Sequence, residues 1–156
     1  MYWRLPAAQF NRGKGTRNKN GLRKIVREKK PIGIIAYVEN KPVGWCSIGP
    51  RQDFVRLQNS RVLRRVDDSP VWSVVCFFIK KEYRNTGLTV KLLKVSANYA
   101  KALGATTLEG YPVEPRKKPM PEVFAFTGIA SAFFQAKFDE VARNSDTRPI
   151  MRKALL

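Results

Sequence analysis

The chain has 156 residues, 44% of them apolar, so it has the size and composition of one folded domain over residues 1–156 rather than of a disordered segment. It contains no histidine, which excludes Ser-His-Asp triads, histidine acid–base catalysis and histidine-ligated metal sites. The net charge of +18, from 30 Lys and Arg against 12 Asp and Glu, favours partners that carry many negative charges.

The cysteines and the hydropathy pattern predict the cellular setting. Cys46 and Cys76 each lie in an apolar run, which favours buried free thiols over a disulfide or a metal pair. No stretch reaches about 18 apolar residues, so we expect neither a membrane span nor a signal peptide. The expected location is a reducing cytoplasm, and no metal site is expected.

The N-terminal segment is predicted to hold a strand, a loop and a helix. Residues 1–10 are mildly apolar, which predicts a short first strand, whereas residues 11–21 are polar, basic and rich in glycine, which predicts a mobile loop. Leu22, Ile25 and Val26 have helical spacing, so a helix is expected over residues 22–30, ending before Pro31.

Two β-rich runs follow, residues 32–38 and 42–48, and the polar residues between them predict an antiparallel hairpin.

Residues 51–66 form a charged segment that predicts one or two short helices. Its arginines are expected to form a solvated helix face; the alternative is that they line the entrance for an acidic ligand. These arginines are Arg51, Arg56, Arg61, Arg64 and Arg65.

The most informative stretch is a strand, a basic turn and a long helix in direct succession. Residues 71–79 are apolar except for Ser73, which predicts a central strand buried on both faces. Asn85-Thr86-Gly87 then turns the chain into a helix that ends at Gly104. The residues expected to form its apolar face are Leu88, Leu92, Val95, Tyr99 and Leu103.

The turn before this helix has the features of an anion-binding site. The first N–H groups of a helix have no intrahelical partner, and the macrodipole favours negative charge beside them. Lys80, Lys81 and Arg84 add positive charge, and Gly87 has no side chain to keep a phosphate away. The alternative is an ordinary strand-to-helix turn with solvated lysines.

Arg84-x-x-Gly87-x-Thr89, after an apolar strand and before an amphipathic helix, resembles motif A of the GNAT superfamily of N-acetyltransferases. Thr89 replaces the small final Gly or Ala of that motif. In the family the turn binds the pyrophosphate of acetyl-coenzyme A and the preceding strand binds the pantetheine arm. The residues that the resemblance assigns to the cofactor are Phe77, Phe78, Ile79, Arg84, Asn85, Thr86, Gly87, Leu88, Thr89 and Val90.

The resemblance also implies the fold class. It is α/β (α+β), with a mixed and mostly antiparallel central sheet, a splayed parallel strand pair and flanking helices. Residues 106–111 would be the second splayed strand, parallel to the first through a right-handed crossover. Residues 112–121 are expected to form a stiff basic loop that could cap the acceptor cleft.

The C-terminal part is expected to contain one helix and two strands. The helix is predicted within residues 124–138, with Thr127 as its N-cap and Ile129, Phe133 and Ala136 along one side. Residues 139–143 and 149–155 predict the closing antiparallel strands.

Acetyl transfer to an amine needs a neutral amine, a polarised carbonyl and a proton donor for the leaving thiolate. Many family members carry a Tyr as that donor, and the matching position here is Phe133. Glu109, Tyr111 and Glu114 are the candidates for the base, with Glu109 and Tyr111 as the predicted catalytic residues. The alternative is that the protein only positions an amine that water deprotonates.

The leading functional hypothesis is an acetyl-CoA-dependent N-acetyltransferase acting on a primary amine of a small molecule or a protein. One alternative is a GNAT-like domain that binds acyl-CoA without catalysis, since Phe133 occupies the tyrosine position. Another is a basic module that binds RNA or the ribosome, as the charge of +18 suggests. The expected assembly is a monomer or a homodimer, with no membrane partner.

Overall fold

The computed structural model describes residues 1–115 and 122–155. The strands are β1 (Ile34–Val38), β2 (Lys41–Pro50), β3 (Trp72–Ile79), β4 (Thr107–Gly110), β5 (Asp139–Arg143) and β6 (Pro149–Ala154). The α-helices are α1 (Ala7–Arg12), α2 (Thr16–Arg27), α3 (Val55–Gln58), α4 (Leu88–Ala102) and α5 (Ala130–Gln135). Short 3₁₀ turns cover Tyr2–Arg4, Arg51–Asp53, Lys81–Tyr83 and Glu122–Thr127.

The strands form one six-stranded sheet in the order β1-β2-β3-β4-β6-β5. Neighbouring strands are antiparallel except for β3 and β4, which are parallel and joined by α4. Their pairing covers only Trp72 to Val74 against Leu108 to Gly110, although β3 continues to Ile79. The fold class expected from the resemblance, a mixed sheet with a parallel pair that separates, is confirmed.

The core has two parts, one on each face of the sheet. Helices α4 and α5 cover one face, where Leu93, Phe133 and Phe138 are buried against the strands. On the other face Phe54 and Leu57, from the segment that connects β2 to β3, are buried together with Tyr111. The parallel pair is therefore covered from both sides along its paired length.

The N-terminal prediction is wrong. Residues 1–10 do not form a strand and residues 11–21 are not a mobile loop, because the described chain there forms a 3₁₀ turn followed by α1 and α2. The Asn18 side chain donates to the backbone oxygen of Phe10 at 2.9 Å, which ties the two helices together. The predicted helix at residues 22–30 is the C-terminal part of α2.

The predicted apolar face of α4 is also wrong in part. Leu92 is buried as expected, but Val95 and Leu103 are 53% and 50% exposed. The residues that face the sheet are Leu92, Leu93, Ser96, Ala97 and Ala100. Small side chains let the helix approach the sheet closely, so the buried face is centred on them rather than on the largest apolar residues.

Two smaller predictions also need correction. Helix α5 begins at Ala130 with Ile129 before it, so Thr127 is not its N-cap; the Thr127 hydroxyl instead accepts a hydrogen bond from Arg148 at 3.1 Å. The arginines of residues 51–66 are not all solvated, because Arg51 is buried. Most of the predicted basic loop, residues 116–121, lies outside the described residues.

Candidate cofactor and acceptor site

The separation of β3 from β4 creates the gap on which the candidate site is built. Beyond Val74, β3 pairs only with β2, so backbone groups of Phe77 to Ile79 on the β4 side have no strand partner among the described residues. The Arg84 side chain donates to the backbone oxygen of Ile79 at 3.1 Å and ties the following turn to the end of the strand. Unpaired strand edges of this kind bind extended ligands through backbone hydrogen bonds.

The turn between β3 and α4 exposes backbone N–H groups. Asn85 and Gly87 have positive φ angles of 59° and 76°, and α4 starts at Leu88. The Thr86 hydroxyl donates to the backbone oxygen of Tyr83 at 2.7 Å, which closes the turn. A Cβ atom added at Gly87 would meet no atom of the described chain within 4 Å, so the space before the helix is open.

The charges around this turn favour an anion. Lys81 and Lys91 are exposed, Lys80 and Arg84 are half-buried, and Glu82 is the acidic residue within the turn. The open N-terminus of a 15-residue helix adds a favourable dipole. The strand edge, the open turn and these cations fit an extended ligand with a phosphate group, and the cofactor residues assigned by the resemblance lie together here.

Glu109 and Tyr111, the predicted catalytic residues, lie in a buried polar cluster. The Glu109 carboxylate accepts hydrogen bonds from Arg51 at 3.3 Å, from Arg152 at 2.7 Å and from the Tyr111 hydroxyl. Tyr111 in turn is bonded to Ser73 at 2.8 Å. Both residues have no exposed surface. The cluster joins β3, β4 and β6 to the segment that follows β2.

The environment of Tyr111 keeps its hydroxyl protonated. Burial and the neighbouring Glu109 carboxylate raise the pKa of Tyr111 well above its ordinary value. A neutral phenol can donate a hydrogen bond but cannot accept a proton from an ammonium group. The catalytic role of the two residues stays a prediction, and the geometry favours an orienting role for both.

The other two residues considered for proton transfer also have structural partners. Phe133 is buried on α5, edge-on to Phe77 and Phe138, with centroid distances of 6.3 and 5.1 Å. Its ring fills the space that a side chain at Gly110 would occupy, since a Cβ there would lie 2.1 Å from it. Glu114 is exposed and pairs with Arg143.

A cavity of about 490 Å³ lies on the sheet face opposite α4 and reaches β3 at Cys76. Its volume is within the range of about 300–1,000 Å³ that small-molecule pockets occupy. Five of the ten described residues that line it are aromatic. We call it the aromatic cavity; its aromatic residues are Tyr2, Trp3, Trp45, Phe54 and Phe126, and Ser47 and Cys76 lie at its floor.

Sequence reasoning missed the aromatic cavity. Tyr2 and Trp3 belong to the segment interpreted as a strand, and Trp45 and Phe126 come from elements far away in the chain. Tyr2 packs edge-on against Trp3 and Phe126 at 5.3 and 5.9 Å, so the walls support one another. The available signal was the unusual Tyr-Trp pair ahead of a polar segment, which the predicted short first strand does not explain.

The sequence matches the acetyltransferase (GNAT) family over residues 2–118, so the chain belongs to that family. No curated protein matches it. The similar solved structures include the PaiA N-acetyltransferase of Thermoplasma acidophilum in complex with coenzyme A, with a TM-score of 0.55 and 15% identity over 94% of this chain and 76% of that one.

Two further structures have the same fold. A GNAT-family acetyltransferase of Streptococcus pneumoniae has a TM-score of 0.56 and 16% identity over 91% of this chain and 78% of that one. The aminoglycoside acetyltransferase AAC(6′)-Ib, in complex with coenzyme A and kanamycin, has a TM-score of 0.52 and 16% identity over 83% of this chain and 70% of that one.

Within the described residues, none of the helices is both long and apolar enough to span a membrane.

Proposed function

We propose that the protein is an acetyl-CoA-dependent N-acetyltransferase that transfers an acetyl group to a primary amine. The observation that carries the proposal is the open turn at Gly87, which joins an unpaired strand edge to the N-terminus of α4 in a chain of the acetyltransferase (GNAT) family. Two similar structures contain coenzyme A, which supports the choice of cofactor. The proposed location is the cytoplasm.

The cofactor would be held in two places. Backbone groups of Phe77, Phe78 and Ile79 would bind the pantetheine arm, because that edge of β3 has no strand partner among the described residues. The N–H groups of the turn and of the first turn of α4 would bind the pyrophosphate. The residues proposed for the second role are Arg84, Asn85, Thr86, Gly87, Leu88, Thr89 and Val90.

Acetyl-CoA, when bound, supplies the thioester whose acetyl group is transferred. Backbone N–H groups of Phe77 to Ile79 would polarise its carbonyl, as donors aimed at developing negative charge do. Proximity of the amine to that carbonyl supplies much of the acceleration without a dedicated base. The buried Glu109 and Tyr111 would hold β3 and β4 in place beside the reacting groups.

The proposal is tested by calorimetric titration with acetyl-CoA, CoA and 3′-phospho-ADP, which is the nucleotide part of CoA. We expect acetyl-CoA to bind with a Kd on the order of micromolar and at least about tenfold more tightly than 3′-phospho-ADP, a difference of about 1.4 kcal/mol. Equal affinities would show only attraction of anions to a protein of charge +18, and would contradict the proposal.

Turnover separates the enzyme from a domain that only binds. With acetyl-CoA bound, thiol release that depends on an added primary amine would support transfer. Tight binding without release on any amine would favour the non-catalytic alternative.

If neither cofactor form binds, the basic RNA or ribosome module becomes the leading interpretation, with steeply salt-dependent binding to RNA as its test. Helices α1 and α2 would be its contact surface, since Arg12, Lys19 and Arg23 are exposed there.

The Tyr111→Phe variant tests the catalytic prediction. Because Tyr111 is buried and donates to Glu109, we expect kcat to stay within about threefold of the wild type, whereas loss of an acid–base group costs about a hundredfold or more. The measurement is kcat and KM for thiol release at neutral pH, with folding checked by circular dichroism. A fall in kcat near a hundredfold in folded protein would instead establish Tyr111 as a catalytic residue.

A further inference from the structure

We infer that the aromatic cavity takes the acceptor, and that the acceptor is a primary amine on an aromatic body with no second positive charge. The inference rests on the proposed function for the transfer itself, but the binding of such an amine can be measured without it.

The position of the cavity is suited to an acceptor. Cys76, at its floor, directly precedes Phe77. Of the three residues proposed for the pantetheine arm, Phe77 is the farthest from the pyrophosphate turn and therefore the nearest to the thioester, and one residue of strand spans about 3.3 Å. Cys76 and Ser47 are paired across β2 and β3, on the sheet face opposite α4. An amine that lies against these two residues therefore has its nitrogen close to the proposed thioester.

The walls favour a flat apolar molecule. Tyr2, Trp3, Trp45 and Phe126 provide ring faces and edges, and aromatic pairs gain energy beyond the area that they bury. The indole N–H of Trp3 is buried and has no hydrogen-bond acceptor within residues 1–115 and 122–155. Because this N–H has no accessible surface, Trp3 contributes its ring and not a hydrogen-bond donor to the cavity.

The charges exclude polycations. None of the described residues that line the cavity is acidic, and its one charged side chain, that of Arg4, is paired with Asp53 at 3.1 Å. Met1 also lines the cavity, and burial lowers the pKa of its α-amino group. Arg56 lies over the ring of Tyr2, with its guanidinium carbon 3.8 Å from the centroid, and none of the described carboxylates pairs with it.

Arg148 adds a second cation near the cavity, since its partner Thr127 is the residue after Phe126. It is half-buried and bonded to the neutral Thr127 hydroxyl, and burial lowers its pKa. Polyamines and aminoglycosides would bring several positive charges next to these arginines without a carboxylate to receive them. The positive charge of these arginines lowers the pKa of a bound amine and so favours its neutral form, which is the form that attacks a thioester.

The test measures how amines protect Cys76 from a thiol reagent in the full-length protein. Methyl methanethiosulfonate should modify the half-buried Cys76 at the cavity floor, as read by peptide mass. Cys46 is the internal reference, because it is fully buried beneath α4, its thiol is bonded to Ser96, and burial raises its pKa to about 12. It should stay unmodified in folded protein.

We expect saturating 2-phenylethylamine to slow the modification of Cys76 roughly tenfold, and spermidine at equal concentration to leave it unchanged, because only the first combines an aromatic body with a single amine. Trp45→Ala should abolish the protection and Trp45→Phe should retain part of it. Tyr37→Ala is the matched control, since Tyr37 is an exposed aromatic on the neighbouring strand β1 and does not line the cavity. Thiol release should rank the amines in the same order.

The outcomes separate this inference from the proposed function. Acetyl-CoA binding together with no protection by 2-phenylethylamine, or with equal protection by spermidine, overturns the acceptor assignment and leaves the cofactor site intact. Protection without acetyl-CoA binding supports the cavity as an aromatic amine site while the proposed transfer fails.

Discussion

Glu109→Ala is expected to lower the free energy of unfolding by about 3–5 kcal/mol, the range found when one partner of a buried ion pair is removed. Arg51 and Glu109 are both buried, with side chains 6% and 1% exposed. Without Glu109, the partners of the Arg51 guanidinium among the described residues are the backbone oxygens of Leu57 and Leu63 and the Tyr111 hydroxyl. Its charge is then buried without a counter-charge.

Urea denaturation measures this loss, and the chain provides a matched control. Glu140 also pairs with an arginine at 2.7 Å, but both partners are about 30% exposed. Exposed ion pairs are screened by water, so Glu140→Ala should change stability little. A loss for Glu109→Ala no larger than that of the control would contradict the structural role assigned to the cluster.

The milder variant Glu109→Gln keeps the prediction measurable if Glu109→Ala does not fold. An amide retains the shape of the side chain and one acceptor oxygen, so its loss of stability should be smaller than that of the Ala variant. Because this variant is expected to fold, its kcat also addresses the predicted role of Glu109 as a base. If the role of Glu109 is structural, the free energy of unfolding of this variant should fall while its kcat stays close to that of the wild type.

The unit of β3, turn and α4 could be predicted from sequence because its signals are local. An apolar run, a glycine turn and a periodic helix follow one another within residues 71–104, and each is specified by its own neighbours. The exact face of α4 was not predictable in this way. Ser96, Ala97 and Ala100 face the sheet because their small side chains let the helix pack closely against it. The larger Val95 and Leu103 are exposed instead, and this choice depends on the shape of the sheet.

The remainder of the candidate site depends on contacts between distant residues. Arg51 looks like one member of a solvated arginine group until Glu109, 58 positions later, is placed beside it. The aromatic cavity joins the N-terminal segment to β2, β3 and the Glu122–Thr127 turn. No periodicity within any one segment indicates either arrangement, and the resemblance to a family does not assign them, since it specifies the cofactor turn and not the acceptor side.

Gly87→Trp is expected to weaken acetyl-CoA binding by roughly a hundredfold or more, equivalent to about 2.7 kcal/mol. Gly87 has a φ of 76° and borders open space directly before Leu88, the first residue of α4. An indole at this position would cover the N–H groups proposed to bind the pyrophosphate. The variant also carries backbone strain of roughly 1–2 kcal/mol, because a side chain is disfavoured in the left-handed region.

Gly104→Trp separates the two effects. Gly104, just after the C-terminal end of the same helix, has a φ of 84° and likewise no described atom within 4 Å of an added Cβ. It therefore carries comparable backbone strain, but at the end of α4 where carbonyl groups rather than N–H groups are exposed. Calorimetry should give Gly104→Trp an affinity close to that of the wild type, and equal losses in the two variants would mean that the cofactor does not bind at the N-terminus of α4.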